Sequence, residues 1–139
     1  MISITDEMKE NVDVALADGY SCLLGSVSSS GEPQISPKGS VMVYDNETLA
    51  YWERAKRSAL QNVGENHNVV IYYNHQANRL RWRFHGKATV YEDGPVRQEV
   101  MDRCVQAELD RDPELLGVAV LVKVDKITEL SGNVLQQRD

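Results

Sequence analysis

Seven basic side chains lie between positions 54 and 87: Arg54, Lys56, Arg57, Arg79, Arg81, Arg83 and Lys87. Glu65 is the only acid in that interval, so the segment carries +6 in a chain whose total is −6. The remaining residues therefore sum to −12. A cationic island in an acidic protein is the pattern of a local anion site, whereas a general polyanion binder is basic throughout. A solvated basic face is the plainer account of such a cluster. The anion is favoured by order along the chain. Arg54, Lys56 and Arg57 follow a predicted strand ending at Trp52, and Ser58 begins a predicted short helix. That order sets guanidinium, ammonium, hydroxyl and free backbone N–H groups within reach of one phosphate. Arg81 and Arg83, two residues apart on a strand, share a face and could reach across an interface to the same ligand. Tyr51 and Trp52 could supply a flat wall beside it, and core packing accounts for them as well.

Other chemistries find less support. His67, His75 and His85 are not spaced for one helix face, and no compact Cys/His cluster exists, so no metal site is expected. No Gly-x-Ser-x-Gly elbow, Gly-rich dinucleotide fingerprint or P-loop is present. Cys22 and Cys104 form no Cys-x-x-Cys pair and read as buried, reduced thiols. Arg79, Arg81, Arg83 and Trp82 combine basic and stacking groups, but the acidity of the chain argues against nucleic acid as partner. No apolar run approaches the roughly 18 residues of a spanning helix. The N-terminal Met1-Ile2-Ser3-Ile4-Thr5-Asp6-Glu7 has neither a basic region nor an apolar signal core. A cytoplasmic protein without membrane partners is the expectation.

At 139 residues, 42% of them hydrophobic, the chain suits one domain with a sizeable core. Met8, Val12 and Leu16 form a stripe that predicts a helix over Thr5 to Ala17, capped by Thr5 and stopped by Gly19. Strands are predicted over Ser21–Ser28, Pro33–Tyr44 with a bend near Pro37 and Gly39, and Thr48–Trp52. A short helix follows over Ser58–Glu65. Further strands are predicted over Val69–Tyr73, Leu80–Tyr91 and Val118–Val124, with Ile127–Leu130 extending the sheet. In the long strand Leu80, Trp82 and Phe84 alternate with Arg79, Arg81, Arg83 and His85, which puts the arginines on one face. Pro95 opens a helix running to about Glu108, and residues 136–139 read as a loose tail. About six strands joined by short turns favour an antiparallel barrel with flanking helices over a doubly wound sheet.

Several segments, in this order, resemble the pyridoxamine 5′-phosphate oxidase-like FMN-binding split-barrel family. They are Gly31-Glu32-Pro33-Gln34-Ile35-Ser36-Pro37-Lys38-Gly39-Ser40-Val41, Leu49-Ala50-Tyr51-Trp52, Arg54-Ala55-Lys56-Arg57-Ser58, Val63-Gly64-Glu65-Asn66-His67-Asn68-Val69 and Leu80-Arg81-Trp82-Arg83-Phe84-His85-Gly86-Lys87-Ala88. The resemblance implies a mainly β fold, a six-stranded antiparallel split barrel with short flanking helices, in a homodimer that holds FMN at its interface. It implies that the flavin phosphate sits on Arg54, Lys56, Arg57 and Ser58. Ser36, Pro37, Lys38, Gly39 and Ser40 would line the ring system with Trp52 beside it, and Arg81 would reach the cofactor from the partner subunit. Lys38 is the candidate cation for the N1–C2=O edge of the flavin, where positive charge stabilises the reduced ring. The Arg-Leu-His-Asp-Arg type segment with which the true oxidase grips its pyridoxal substrate has no counterpart between Val118 and Asp139. The implied activity is thus FMN-dependent oxidoreduction without vitamin B6 oxidation. A non-catalytic flavin sensor on the same fold is the alternative, as is the same barrel using F420, or haem with a histidine such as His85 as ligand.

Overall fold

The computed structural model describes every residue from Met1 to Asp139. The elements are α1 (Asp6–Asp13), β1 (Cys22–Val27), β2 (Pro33–Lys38), β3 (Met42–Asp45), β4 (Thr48–Glu53), α2 (Ser58–Glu65), β5 (Asn68–His75), β6 (Leu80–Tyr91), α3 (Gly94–Arg103), α4 (Gln106–Leu109), β7 (Val118–Thr128) and β8 (Val134–Gln137). The sheet therefore has eight strands, where the sequence predicts six.

Two local causes account for the extra pair. The predicted bent strand is broken at Gly39-Ser40-Val41 into β2 and β3, which lie at opposite ends of the strand path β2-β1-β5-β6-β7-β4-β3. The predicted loose tail is β8, an antiparallel neighbour of β7. It is held from the other end of the chain: the Met1 amino group donates to the Gln137 carbonyl at 2.7 Å, and the Ser3 amide to Gln136 Oε1 at 2.7 Å. All strand pairings are antiparallel.

The sheet curls because of the first of these features. Three residues separate β2 from β3, and each spans at most about 3.6 Å. The two ends of the sheet must therefore approach one another, yet no ladder joins them. The result is a barrel split along one seam.

Alternation on β6 places each side chain as period two requires. Trp82, Phe84, Gly86 and Ala88 face the core, while Arg81, Arg83 and His85 are half-buried on the other face. A bulge between His85 and Gly86 lets β7 follow the bend. The main core joins Leu24, Leu49, Tyr51, Ile71, Tyr73, Phe84, Val122 and Ile127 inside the barrel. A second, smaller core under α3 joins Met42, Ala50, Trp52, Val100, Cys104 and Ala119.

The helices depart from prediction at their ends. α1 stops at Asp13, where that side chain accepts from the Val43 amide at 2.8 Å and pairs with Lys9 at 2.6 Å. The predicted long helix after Pro95 breaks at Cys104 and Val105, both extended, so that α4 is a separate short turn. Both cysteines are free and buried. Burial pushes the Cys22 thiol up to about 12, and burial with the nearby Glu108 charge does the same to Cys104.

Candidate functional site

The end of β2, the end of β4 and the loop into α2 come together at the seam. A cavity of about 90 Å³ there is lined by Pro37, Lys38, Gly39, Ser40, Trp52, Glu53, Arg54, Ala55 and Glu108. Six of the residues singled out from sequence are thus gathered at one place. β2 is an edge strand, which is why it tolerates Pro33 and Pro37. Ser36 lies one pleat back and is half-buried, its Oγ accepting from Gln34 at 3.3 Å.

Each polar or charged cavity residue has a definite partner. Ser40 Oγ donates to the Trp52 carbonyl at 3.0 Å and accepts from the Trp52 amide at 2.9 Å, so the corner between β2 and β3 is bonded to β4. Trp52 is 2% exposed. Its Nε1 donates to Asp112 at 2.9 Å, and the Arg97 guanidinium lies 4.9 Å from its ring. The indole is thus buried and leaves no open wall. Lys38 Nζ donates to both oxygens of Glu53 at 2.8 and 3.0 Å. Arg54 Nε donates to Glu108 at 3.1 Å. Glu108 also lies against Gly39, where a Cβ would collide with its carboxylate.

The loop beyond Arg54 differs. Lys56 and Arg57 are exposed and make no ion pair. α2 begins at Ser58 with Arg57 as its N-cap and no side chain capping its first turn. Its leading N–H groups therefore have no partner within the helix. The helix is fixed by burial of Ala59 and Val63 and by Asn62, which donates to Ser26 on β1 at 3.2 Å. Two unmatched cations, a hydroxyl and an uncapped helix start form a donor set for a phosphate monoester.

Arg81 is not part of this grouping. Its Nε donates to Asn74 at 3.2 Å, and it lines a separate cavity of about 440 Å³ with Arg79, Met8, Trp82 and Leu130. The three histidines are also apart: His67 bonds the Val63 carbonyl at 3.0 Å, His75 stacks on Tyr20 at 4.0 Å, and His85 Nε2 lies 3.3 Å from Thr128 Oγ1. Burial, then Lys126 and Arg83, lower the His85 pKa from its ordinary value and favour the neutral ring. No group of three or more metal-ligating side chains converges.

Asp112 is the anchor behind the site. It accepts from Trp52, from the Leu116 amide at 3.0 Å and from the Gly117 amide at 2.8 Å. Burial alone would raise its pKa, but these hydrogen bonds and the Arg97 charge outweigh it and hold the carboxyl below its usual range. A depressed folded value means stability that is present above about pH 4 and is lost as pH falls through the folded pKa. Urea melts at pH 6 and pH 3 are expected to show this loss, and Asp112→Asn to reduce the difference between them.

The family model described as pyridoxamine 5′-phosphate oxidase matches residues 8–128. The chain belongs to the pyridoxamine 5′-phosphate oxidase family. Solved structures agree in fold. The Group A Streptococcus protein HupZ is 24% identical, with a TM-score of 0.75 over 96% of this chain and 99% of that one. An FMN-binding protein of Syntrophomonas wolfei is 16% identical, with a TM-score of 0.68 over 89% and 86%. A pyridoxamine 5′-phosphate oxidase-related, FMN-binding protein of Nostoc punctiforme is 12% identical, with a TM-score of 0.65 over 91% and 83%. No curated protein matches.

Within this family fold, the residues that sequence reasoning missed are the carboxylates Glu53, Glu108 and Asp112. Glu53 lies one position before the interval in which the positive charge was counted. Its partner is 15 residues away on an edge strand, and Glu108 is 54 residues from Arg54. No local pattern marks pairs at such separations. For flavin mononucleotide, the fit is good at the phosphate end, where the donor set is unmatched. At 90 Å³ the cavity is well below the roughly 300–1,000 Å³ of a small-molecule site, so a ring system needs a further wall.

Proposed function

We propose that this protein is an FMN-binding flavoprotein of oxidoreductase type, acting as a homodimer. The observation that carries the reading is the uncapped start of α2 with Lys56 and Arg57 unmatched beside it. Charge-assisted hydrogen bonds from Arg57, Lys56 and Ser58 would hold the phosphate, and Arg54 would stay with Glu108. Family membership and the FMN binding of two fold neighbours support the same reading. When bound, the flavin supplies hydride or electron transfer. The chain's part is to hold and orient it and to shape its electrostatic surroundings.

A second copy would supply the missing wall. The outer face of β2 and β1 leaves Ile35 73% and Leu23 36% exposed, and Leu130, in the turn after β7, is 50% exposed beside them. With Tyr72 and Val70 these line a shallow apolar depression. An apolar surface of this kind is the mark of an interaction face; Arg83 lines it, and Arg81 shares that face of β6.

Titration of the cofactor-free protein with FMN, followed by flavin fluorescence, tests the reading. Saturation near one FMN per subunit is expected, with sedimentation of the same sample giving a dimer. Arg57→Ala is expected to weaken binding about 10- to 100-fold, the worth of one charge-assisted hydrogen bond at ~1.5–3 kcal/mol. An unchanged dissociation constant in that variant would overturn the phosphate site. Saturable binding of F420 in place of FMN would move the same site to the deazaflavin.

A further inference from the structure

The charges around the seam cavity are matched within the chain. Both oxygens of Glu53 hold Lys38 Nζ, and the two side chains are 2% and 11% exposed. Arg54 and Glu108 form a second pair on the same cavity. The charged lining is therefore two cations and two carboxylates. The unmatched cations, Lys56 and Arg57, lie on the loop outside it. Ala55 belongs to both the loop and the cavity, so a ligand anchored by its phosphate at Lys56, Arg57 and Ser58 has this lining beside it.

We infer that Lys38 and Glu53 act on a bound flavin as one neutral unit, in which Glu53 cancels the field that Lys38 alone would exert and so sets the midpoint potential. The inference rests on the flavin reading above. A lone ammonium near the ring favours its reduced, anionic form. A carboxylate at hydrogen-bond distance turns that monopole into a dipole, whose field falls off faster with distance. The charge of Glu53 is felt elsewhere at this end of β4. Tyr51 is buried with its hydroxyl unpartnered, and burial, then the Glu53 charge, raises its pKa above the ordinary value. Glu53 is thus a positioning and tuning residue, acting on the flavin through Lys38.

Four proteins test this by the midpoint potential of bound FMN: the wild type, Glu53→Gln, Lys38→Gln and the double variant. Glu53→Gln uncovers Lys38 and is expected to raise the ratio of reduced to oxidised FMN affinity about tenfold, ~30 mV for a two-electron couple. Lys38→Gln is expected to shift it in the opposite direction. The double variant removes both charges and is expected to return close to the wild-type potential. A double variant as low as Lys38→Gln means that Lys38 acts alone, and overturns the inference. So does an unchanged potential in Glu53→Gln. Where one single variant does not fold, the other single variant against the double and the wild type decides. A wild type that takes no FMN overturns the flavin reading and this inference with it, whereas FMN bound with the wrong ordering of potentials overturns this inference only.

Discussion

Glu53→Ala is expected to lower the unfolding free energy by about 3–5 kcal/mol, while Lys38→Met combined with Glu53→Leu costs far less. The asymmetry follows from what each variant leaves behind. Lys38 and Glu53 have both been taken out of water, at 11% and 2% exposure. Desolvation of each charge is offset by the other at 2.8 and 3.0 Å. Removing one partner keeps the desolvation cost of the survivor and deletes its compensation. Removing both, with apolar side chains of similar volume, deletes the cost as well. Urea melts of the two variants and the wild type measure this directly. Equal losses in the single and double variants would mean that the packing of the stems matters and the charges do not.

Gly86→Ala is expected to cost about 3 kcal/mol, the upper end of the usual overpacking range. A Cβ at Gly86 would strike the Lys123 carbonyl on β7 and come within 3.0 Å of Val122 Cγ1. The first obstacle is backbone, fixed in a ladder on both sides, so rotamer changes cannot relieve it. Gly86 also sits at the bulge where β6 and β7 shift register. Its requirement is close approach of two strands, because its φ is not in the left-handed region. Thermal melts would register the loss. A variant as stable as the wild type would show that the bulge can relax.

Much of this architecture is legible in the sequence because it is local. The alternation of Trp82, Phe84 and the arginines fixes which way β6 faces, and α2 runs from Ser58 to Glu65 as its residues predict. The family segments identify the barrel. What is not legible is long-range. Residues 33–44 read as one bent strand because every residue in them tolerates extension; only the finished sheet sends Lys38 and Met42 to opposite edges. β8 has no alternation to mark it, and it forms because Met1 and Ser3 hold it. In the site, the positive charges are visible as a cluster in sequence. The carboxylates that match Lys38 and Arg54 are not, since they arrive from β4 and α4. The composition that suggests a uniform basic site thus conceals two classes of cation, the matched and the free.

The seam has a mechanical meaning. Elsewhere in the barrel, neighbouring strands are joined by backbone ladders that break only with the fold. Between β2 and the β3–β4 end of the sheet no ladder forms, and the closure is made by side chains, Lys38 on β2 with Glu53 on β4. Opening along that line breaks no backbone ladder and so costs the least cooperative structure. The cavity lies along that line of weakness. A bound molecule would act as a clasp on it, so that occupancy and resistance to opening rise together.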